Sequence, residues 1–322
     1  MRVVIDSGIP FLQGVMEPFA QVVYLSPEEI TTESVRDANA LFVRTRTRIN
    51  KELLEGSRVR FVATATIGYD HIDLDYCREA GITWVSCPGC NAQAVCDYVE
   101  EAILSFERMQ DKKSGETALT VGVVGYGHVG KLVAAMAEKN GWRVLVSDPP
   151  LGIGMSLKEM VPQCNVLTFH TPLTFTGEHP TYHMCNAEVL SLCKENVLLI
   201  NAARGGVVEE QALLSHLNTA DKGMKTAIDC WEGEPALNVE LLKKVDLASF
   251  HIAGYSIEGK MRASEMCLRA FCEFFSLPIL SINKKAVPLQ GDSENGWLLR
   301  LTEQLKATPE GFERLRKSYP LR

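Results

Sequence analysis

No stretch of this 322-residue sequence reaches the roughly 18 consecutive apolar residues that a membrane-spanning helix needs. Basic charge is also in short supply, with 33 Lys and Arg against 40 Asp and Glu and a formal net charge of −7. A chain of that sign repels a phosphate backbone, so nucleic acid is not the expected partner. Repeats of fixed period and low-complexity tracts are missing too. At 46% hydrophobic and 23% charged residues, the composition is that of a folded globular protein rather than a disordered or fibrous one. The N-terminus, Met1-Arg2-Val3-Val4-Ile5-Asp6, meets an acid before a signal-peptide core can form, and a cytoplasmic protein is expected.

Cysteine, by contrast, is plentiful at 10 residues, scattered from Cys77 to Cys272 and mostly inside apolar segments. A chain this long needs no disulfide staples, so buried free thiols in a reducing compartment are expected. Cys87-Pro88-Gly89-Cys90 has redox-motif spacing, but no second CxxC completes a zinc site. His179 and His183 are spaced like two ligands on a helix, yet Gly177 and Pro180 favour a loop, and the glutamate of a zincin motif is absent. No metal is expected.

The length suits two domains. Short β-branched runs alternate with amphipathic stretches, the pattern of βα units feeding a parallel sheet. Val3–Ile5, Val22–Leu25, Leu41–Val43, Phe61–Ala65 and Ile82–Ser86 are predicted strands of a first sheet. Thr120–Val124, Arg143–Ser147, Val166–His170, Val197–Ala202, Lys225–Asp229 and Leu247–Phe250 are predicted strands of a second. Asn50 and Asp73 stand where helix N-caps belong, and longer helices are expected from Asn91 to Arg108 and from Tyr255 to Phe275. Asp111–Glu116 reads as an exposed loop, and the polar C-terminus carries one amphipathic segment, Trp297–Leu305. The expected fold is α/β: two Rossmann-like doubly wound parallel-sheet domains, residues 1–90 with 255–278 and residues 91–254, and a short C-terminal appendage, 279–322.

Gly125-Tyr126-Gly127-His128-Val129-Gly130 follows a predicted strand and opens a predicted helix, the context in which GxGxxG signals dinucleotide binding. Gly125 permits the tight turn, Gly127 lets the backbone approach a pyrophosphate, and Gly130 lets helix and strand pack closely. The next strand ends at Asp148, where an acid accepts hydrogen bonds from the adenosine ribose. That carboxylate repels the extra phosphate of NADP, and Pro149-Pro150 supplies no arginine to bind it, so NAD is the expected cofactor.

Polar residues follow three later strands, at the sheet edge where doubly wound folds bind ligands. Arg204 lies in Asn201-Ala202-Ala203-Arg204-Gly205-Gly206, acids lie in Asp229-Cys230-Trp231-Glu232-Gly233-Glu234, and His251 opens His251-Ile252-Ala253-Gly254. An arginine can clamp a carboxylate, and a histidine can take a hydroxyl proton while a paired glutamate raises its pKa. Each also has a plainer reading: Arg204 as an ion-pair partner, Glu234 as a solvated acid, His251 as a satisfied buried histidine.

Together with His170-Thr171-Pro172-Leu173, these segments resemble the successive signatures of the D-isomer-specific 2-hydroxyacid dehydrogenases. The resemblance implies Arg204, Glu234 and His251 as the catalytic set. It implies cofactor contacts from His128, Val129, Asp148, Thr171, Ala202, Ala203, Arg204, Asp229 and Gly254, beside the three glycines. Within the family, Val43-Arg44-Thr45, Phe61–His71, Cys87–Ala92, Trp231–Pro235 and His251–Tyr255 resemble a branch acting on a small phosphorylated 2-hydroxy acid on the route to pyridoxal 5′-phosphate. That match implies substrate contacts at Thr45, Thr66 and Tyr255. By the same resemblance the first domain is a substrate-binding lid, the second binds NAD, and 279–322 is a shortened dimerisation-like tail of a homodimer. If the chain stays extended after Leu41–Val43, then Arg44, Arg46 and Arg48 share one face. Arg44 is the candidate for holding the phosphate as the two domains close. Rival readings are a dehydrogenase of the 3-phosphoglycerate or glyoxylate type, and a non-catalytic NAD-binding regulator on the same fold.

Overall fold

Runs of buried β-branched residues extend, and with a single exception they pair in parallel. A computed structural model describes residues 1–109, 119–219, 223–282 and 296–320; the loop expected at Asp111–Glu116 lies outside them. The chain divides into two compact units, one made of Met1–Asn91 and the segment starting at Ser256, the other of Ala92–Tyr255 and residues 296–320.

In the first unit, β1 (Arg2–Asp6), β2 (Gln21–Leu25), β3 (Ala40–Val43), β4 (Phe61–Thr64) and β5 (Thr83–Val85) form a parallel sheet in the order β2-β1-β3-β4-β5. Alternate residues face opposite sides, and both sides are buried, as a sheet with covered faces requires. Val3, Ile5, Phe42 and Phe61 enter one core, while Val4, Leu41, Val43 and Val62 enter the other. The helix Ile257–Phe274 covers the first face, its Phe271 ring 5.5 Å from Phe42 and 6.1 Å from Phe61. Asn50 and Asp73 cap the short helices Lys51–Leu54 and Leu74–Glu79, each accepting a backbone N–H at 3.0 Å.

The second unit contains β6 (Thr120–Val124), β7 (Arg143–Asp148), β8 (Ile153–Gly154), β9 (Val166–Phe169), β10 (Leu198–Asn201), β11 (Lys225–Ile228) and β12 (Leu247–Ala248). Their order is β12-β11-β10-β9-β6-β7-β8, parallel except for the short edge strand β8, which had no signal in the sequence and runs antiparallel to β7. The chain builds outward from β6 to β8, then returns to β6's other side with β9. That reversal is the switch point at which doubly wound sheets open a ligand crevice. The long helix Ala92–Met109 buries Tyr98, Val99, Ala102, Ile103 and Phe106 against this core.

Residues 296–320 belong to this second unit. β12 is a two-residue edge strand, and an exposed edge leaves backbone groups without partners. The helix Trp297–Ala307 covers it: Ala248 N donates to Thr302 Oγ1 at 2.8 Å, Lys306 Nζ donates to Val245 O at 2.6 Å, and Leu298, Leu301 and Leu305 are buried. All ten cysteines are buried free thiols, with Cys87 and Cys267 in a 3.4 Å sulfur contact. Among the described residues no helix is long and apolar enough to cross a membrane.

Because Thr302 caps the Ala248 amide inside the protein, Thr302→Val leaves a buried N–H unpaired and lowers unfolding stability by about 1–3 kcal/mol. Thr302→Ser keeps most of it. Chemical denaturation of the two variants checks this, and equal stability of both would remove the cap from the account.

Candidate active site

Most of the candidate residues follow the carboxyl ends of strands. β6 runs into Gly125, whose φ of 88° lies in the left-handed region; a Cβ there would come within 2.8 Å of His170 O and 3.0 Å of Thr171 Cγ2. Glycine thus lets the ends of β6 and β9 meet, and Thr171 lies directly beside the turn. A Cβ on Gly130 would collide with the Gly125 carbonyl oxygen, so the helix could not sit so close to its strand. Gly127, the N-cap of the helix His128–Lys139, has no heavy atom within 4 Å of its Cβ position. A ligand can therefore approach the bare backbone beside the unpaired amides of the first helical turn, His128 and Val129 included. Asp148, ending β7, accepts from Tyr126 N at 2.6 Å and from Leu151 N at 3.2 Å. Its carboxylate is fixed beside the glycine turn with acceptor capacity left for hydroxyl groups.

Asn201, at the end of β10, ties two loops together. Its amide nitrogen donates to Arg204 O at 3.0 Å and Cys230 O at 3.2 Å, and its oxygen accepts from Ala203 N at 3.2 Å. Ala202 and Ala203 are buried beneath this turn. A Cβ on Gly205 would strike the Trp231 carbonyl, so glycine lets the Arg204 loop lie on the loop after β11. The Arg204 guanidinium is braced by an Nη1 donation to Ala203 O at 2.8 Å.

The loops after β11 and β12 bring Glu234 and His251 together. Glu234 Oε2 lies 2.8 Å from His251 Nδ1, and Glu234 Oε1 accepts from Trp231 N at 2.7 Å. Asp229 is buried: Oδ1 accepts from Ser249 Oγ at 2.6 Å and Ile252 N at 2.8 Å, and Oδ2 from Ala253 N at 2.9 Å. It anchors the loop that runs through Gly254 to Tyr255 and bends the chain at His251 to a φ of 59°. Burial disfavours charge on the His251 imidazole, but the neighbouring Cys230 and Glu234 outweigh it, and the pKa stands well above the usual histidine value. Burial pushes the Cys230 thiol up, which keeps it protonated, so the negative charge that matters to His251 is that of Glu234. The ligand atoms of Cys230, Glu234 and His251 lie within 4.8 Å of one another. With the imidazole and carboxylate already paired and the thiol protonated, the trio is arranged to hold a proton.

A second set of charges lies beside this pair; the sequence reading weighed His183 only as a metal ligand and did not connect it with Glu232 or Glu210. Glu232 N donates to the buried Glu210 Oε1 at 2.7 Å, and the Glu232 carboxylate pairs with His183 Nε2 at 2.8 Å. Burial, reinforced by Glu232 and Glu234, pushes the Glu210 carboxyl up to about 7. Tyr182 stacks on His183 with ring centroids 3.8 Å apart. Only the convergence of separate loops makes this cluster visible.

In the first unit, Arg44 and Thr45 follow β3 and Thr66 follows β4. Arg44 Nη1 donates to Gly8 O at 3.1 Å, and Thr66 Oγ1 lies 2.6 Å from Thr64 Oγ1, itself 3.0 Å from His71 Nε2. Burial, with Arg44 nearby, lowers the Lys260 pKa to about 8, so a second cation borders Arg44. The extended Arg44–Arg48 segment is not found. Thr47 N donates to Arg44 O at 3.1 Å, closing a turn that buries Thr47 and leaves Arg46 and Arg48 exposed, so the three arginines do not share a strand face.

Residues 98–252 match the family described as D-isomer specific 2-hydroxyacid dehydrogenase, NAD binding domain. The chain is 40% identical over 339 aligned positions to erythronate-4-phosphate dehydrogenase of Bacteroides thetaiotaomicron, covering 100% of this chain and 97% of that one. A relative of the same name from Azotobacter vinelandii is 38% identical, with 100% and 92% covered. Among solved structures, D-lactate dehydrogenase of Aquifex aeolicus complexed with NAD and lactic acid matches with a TM-score of 0.70 and 26% identity over 85% of this chain and 95% of that one. The NAD-bound 3-phosphoglycerate dehydrogenase of Entamoeba histolytica matches at 0.72 and 25%, over 86% and 95%.

His251 is expected to titrate well above the ordinary histidine value of about 6.5. Glu234→Gln removes one of the neighbours that oppose the effect of burial, so the pKa drops. NMR titration of the imidazole in both proteins measures the change; an unaltered pKa in the variant would mean that Glu234 does not set it.

Proposed function

The chain belongs to the D-isomer specific 2-hydroxyacid dehydrogenase family, and on that premise we propose that it oxidises 4-phospho-D-erythronate to (R)-3-hydroxy-2-oxo-4-phosphooxybutanoate with NAD. The Glu234–His251 pair, 2.8 Å apart on the same unit as the glycine turn, carries the reading of an enzyme rather than a binding module, since a regulator has no need of a primed base. The full-length likeness to erythronate-4-phosphate dehydrogenases supports the substrate.

The residues around Gly127 fit NAD: an open backbone at a helix start, and an acid fixed one strand away. We assign cofactor contacts to Gly125, Gly127, His128, Val129, Gly130, Asp148, Thr171, Ala202, Ala203, Arg204 and Gly254. Asp229 also belongs in that set, besides holding the His251 loop. When bound, NAD supplies the acceptor for the hydride that leaves the substrate carbon. Arg204 holds the substrate carboxylate through charge-assisted hydrogen bonds. His251 takes the hydroxyl proton, and Glu234 stabilises the imidazolium that results. Because the His251 pKa is raised, oxidation grows as pH climbs through that value, and the reverse reduction, which needs the protonated ring, declines.

We assign Tyr255 as a further substrate contact of the second unit, and the substrate-binding lid role to the first, where Arg44, Thr45 and Thr66 serve as contacts. Arg44 is the phosphate ligand among them. A cytoplasmic location is supported by ten buried free thiols, which suit a reducing compartment. A homodimer is supported by the family resemblance of the C-terminal segment.

NADH formation measured with 4-phospho-D-erythronate, D-3-phosphoglycerate and other D-2-hydroxy acids, and NADH consumption with glyoxylate, test the substrate. The phosphoerythronate is expected to give the highest kcat/KM, and His251→Asn to bind NAD but lose about 10²–10⁴ in turnover. Preference for another acid overturns the substrate, and normal turnover of the variant overturns the base. Asp148→Ala is expected to weaken NAD binding and narrow a strong preference over NADP. Equal use of both cofactors by the unaltered protein would sink the role given to Asp148.

A further inference from the structure

The C-terminal segment does more than cover β12. After Trp297–Ala307, the chain turns at Pro309–Gly311 into a short helix, Phe312–Ser318, pinned by fully buried Phe312 and by Tyr319, whose ring meets Phe250 edge-on at 5.7 Å. On this helix Arg316 reaches Tyr255: its Nε donates to the Tyr255 hydroxyl at 3.1 Å, and the guanidinium carbon stands 5.9 Å from the ring centroid. Phe250 and Tyr255 bracket His251 in sequence, one immediately before it and one four residues after. The same helical turn and the residue after it therefore grip the His251 loop from both ends.

Arg316 also stands where its charge matters. Its Nη1 is 3.6 Å from Glu313 Oε1, a partly exposed contact. Burial works against the guanidinium charge, while the Tyr255 hydroxyl and the Glu234 carboxylate favour it, so it stays charged in the neighbourhood of the acid–base pair. A phenol oxygen that accepts from a guanidinium has its lone pair engaged and its ring orientation set. Its own proton then points away from the arginine, and the positive charge makes that O–H a stronger donor to an anion.

We propose that Arg316 is a positioning residue of the active site, holding Tyr255 so that its hydroxyl donates to an anionic oxygen of the substrate, and that the C-terminal helix thereby completes substrate recognition. This rests on the reading of Tyr255 as a substrate contact and extends it to a residue 61 positions further along the chain. Two consequences separate positioning from plain structural support. Arg316 acts on substrate binding rather than on NAD, and it acts through Tyr255.

The experiment is a double-mutant cycle on the full-length enzyme, assayed with whichever acid of the panel the unaltered protein oxidises best. A failure of 4-phospho-D-erythronate thus counts against the substrate and not against Arg316. Tyr255→Phe is expected to raise KM about 10- to 100-fold, the worth of one hydrogen bond to a charged group. Arg316→Leu is expected to raise KM to a similar extent while NAD affinity, read by fluorescence titration, stays unchanged; Arg316→Lys recovers part of the loss. The double variant Arg316→Leu/Tyr255→Phe should be no worse than Tyr255→Phe alone. Additive penalties, an unchanged KM in Arg316→Leu, or a parallel loss of NAD affinity each overturn the proposal. Should Arg316→Leu fail to fold, Arg316→Lys carries the cycle, and its KM rise must vanish in the Tyr255→Phe background.

Discussion

The Asp229 carboxylate sits at the end of β11 almost wholly out of water, and hydrogen bonds from Ser249 and from the amides of Ile252 and Ala253 hold it there. A buried charge without donors is costly, so these bonds are a condition of the fold and not an addition to it. They draw the chain after β12 back over the strand ends and hold His251 at a φ that a side-chain-bearing residue rarely adopts. That bend sets the imidazole against Glu234. Without the Asp229 anchor, the hydrogen bonds that draw Ile252 and Ala253 over the strand ends are lost, and the pair loosens at its His251 end.

From this anchor the charges are layered outward. Glu234 is locked by the Trp231 amide on one oxygen and the imidazole on the other, so it cannot rotate away to solvent. The same loop is gripped at Glu232 by Glu210 and His183. Burial, with repulsion from the neighbouring acids adding to it, pushes the Glu210 carboxyl up to about 7. Arg316, which the Glu234 carboxylate helps keep charged, offsets part of that negative charge, so the site suits an anionic substrate better than the acidic composition of the whole chain would suggest.

The C-terminal segment illustrates how one device serves two ends. An edge strand of two residues needs cover, and Thr302 with the leucines of Trp297–Ala307 provides it. Once the chain has been carried there, the next helix lies beside Phe250 and Tyr255, where an arginine can reach the site.

Local pattern was enough to place most of the architecture. Buried β-branched runs, caps at Asn50 and Asp73, and the glycines of Gly125–Gly130 are short-range signals, and the strands, helix starts and tight turn follow from sterics within a few residues. Arg204, Glu234 and His251 were visible as polar residues beyond strand ends for the same reason. Other features depended on groups far apart in the chain. The turn at Arg44–Thr47 replaced an extended segment because Thr47 found a place in the core. β8 exists only because β7 offers it an edge, and Asp229 became an anchor only when the loop after β12 folded over it. Arg316 meets Tyr255 across 61 residues. Periodicity reports which side of an element faces inward, but not which distant element will meet it. That pairing is settled when the sheets close their edges and buried polar groups take the partners within reach.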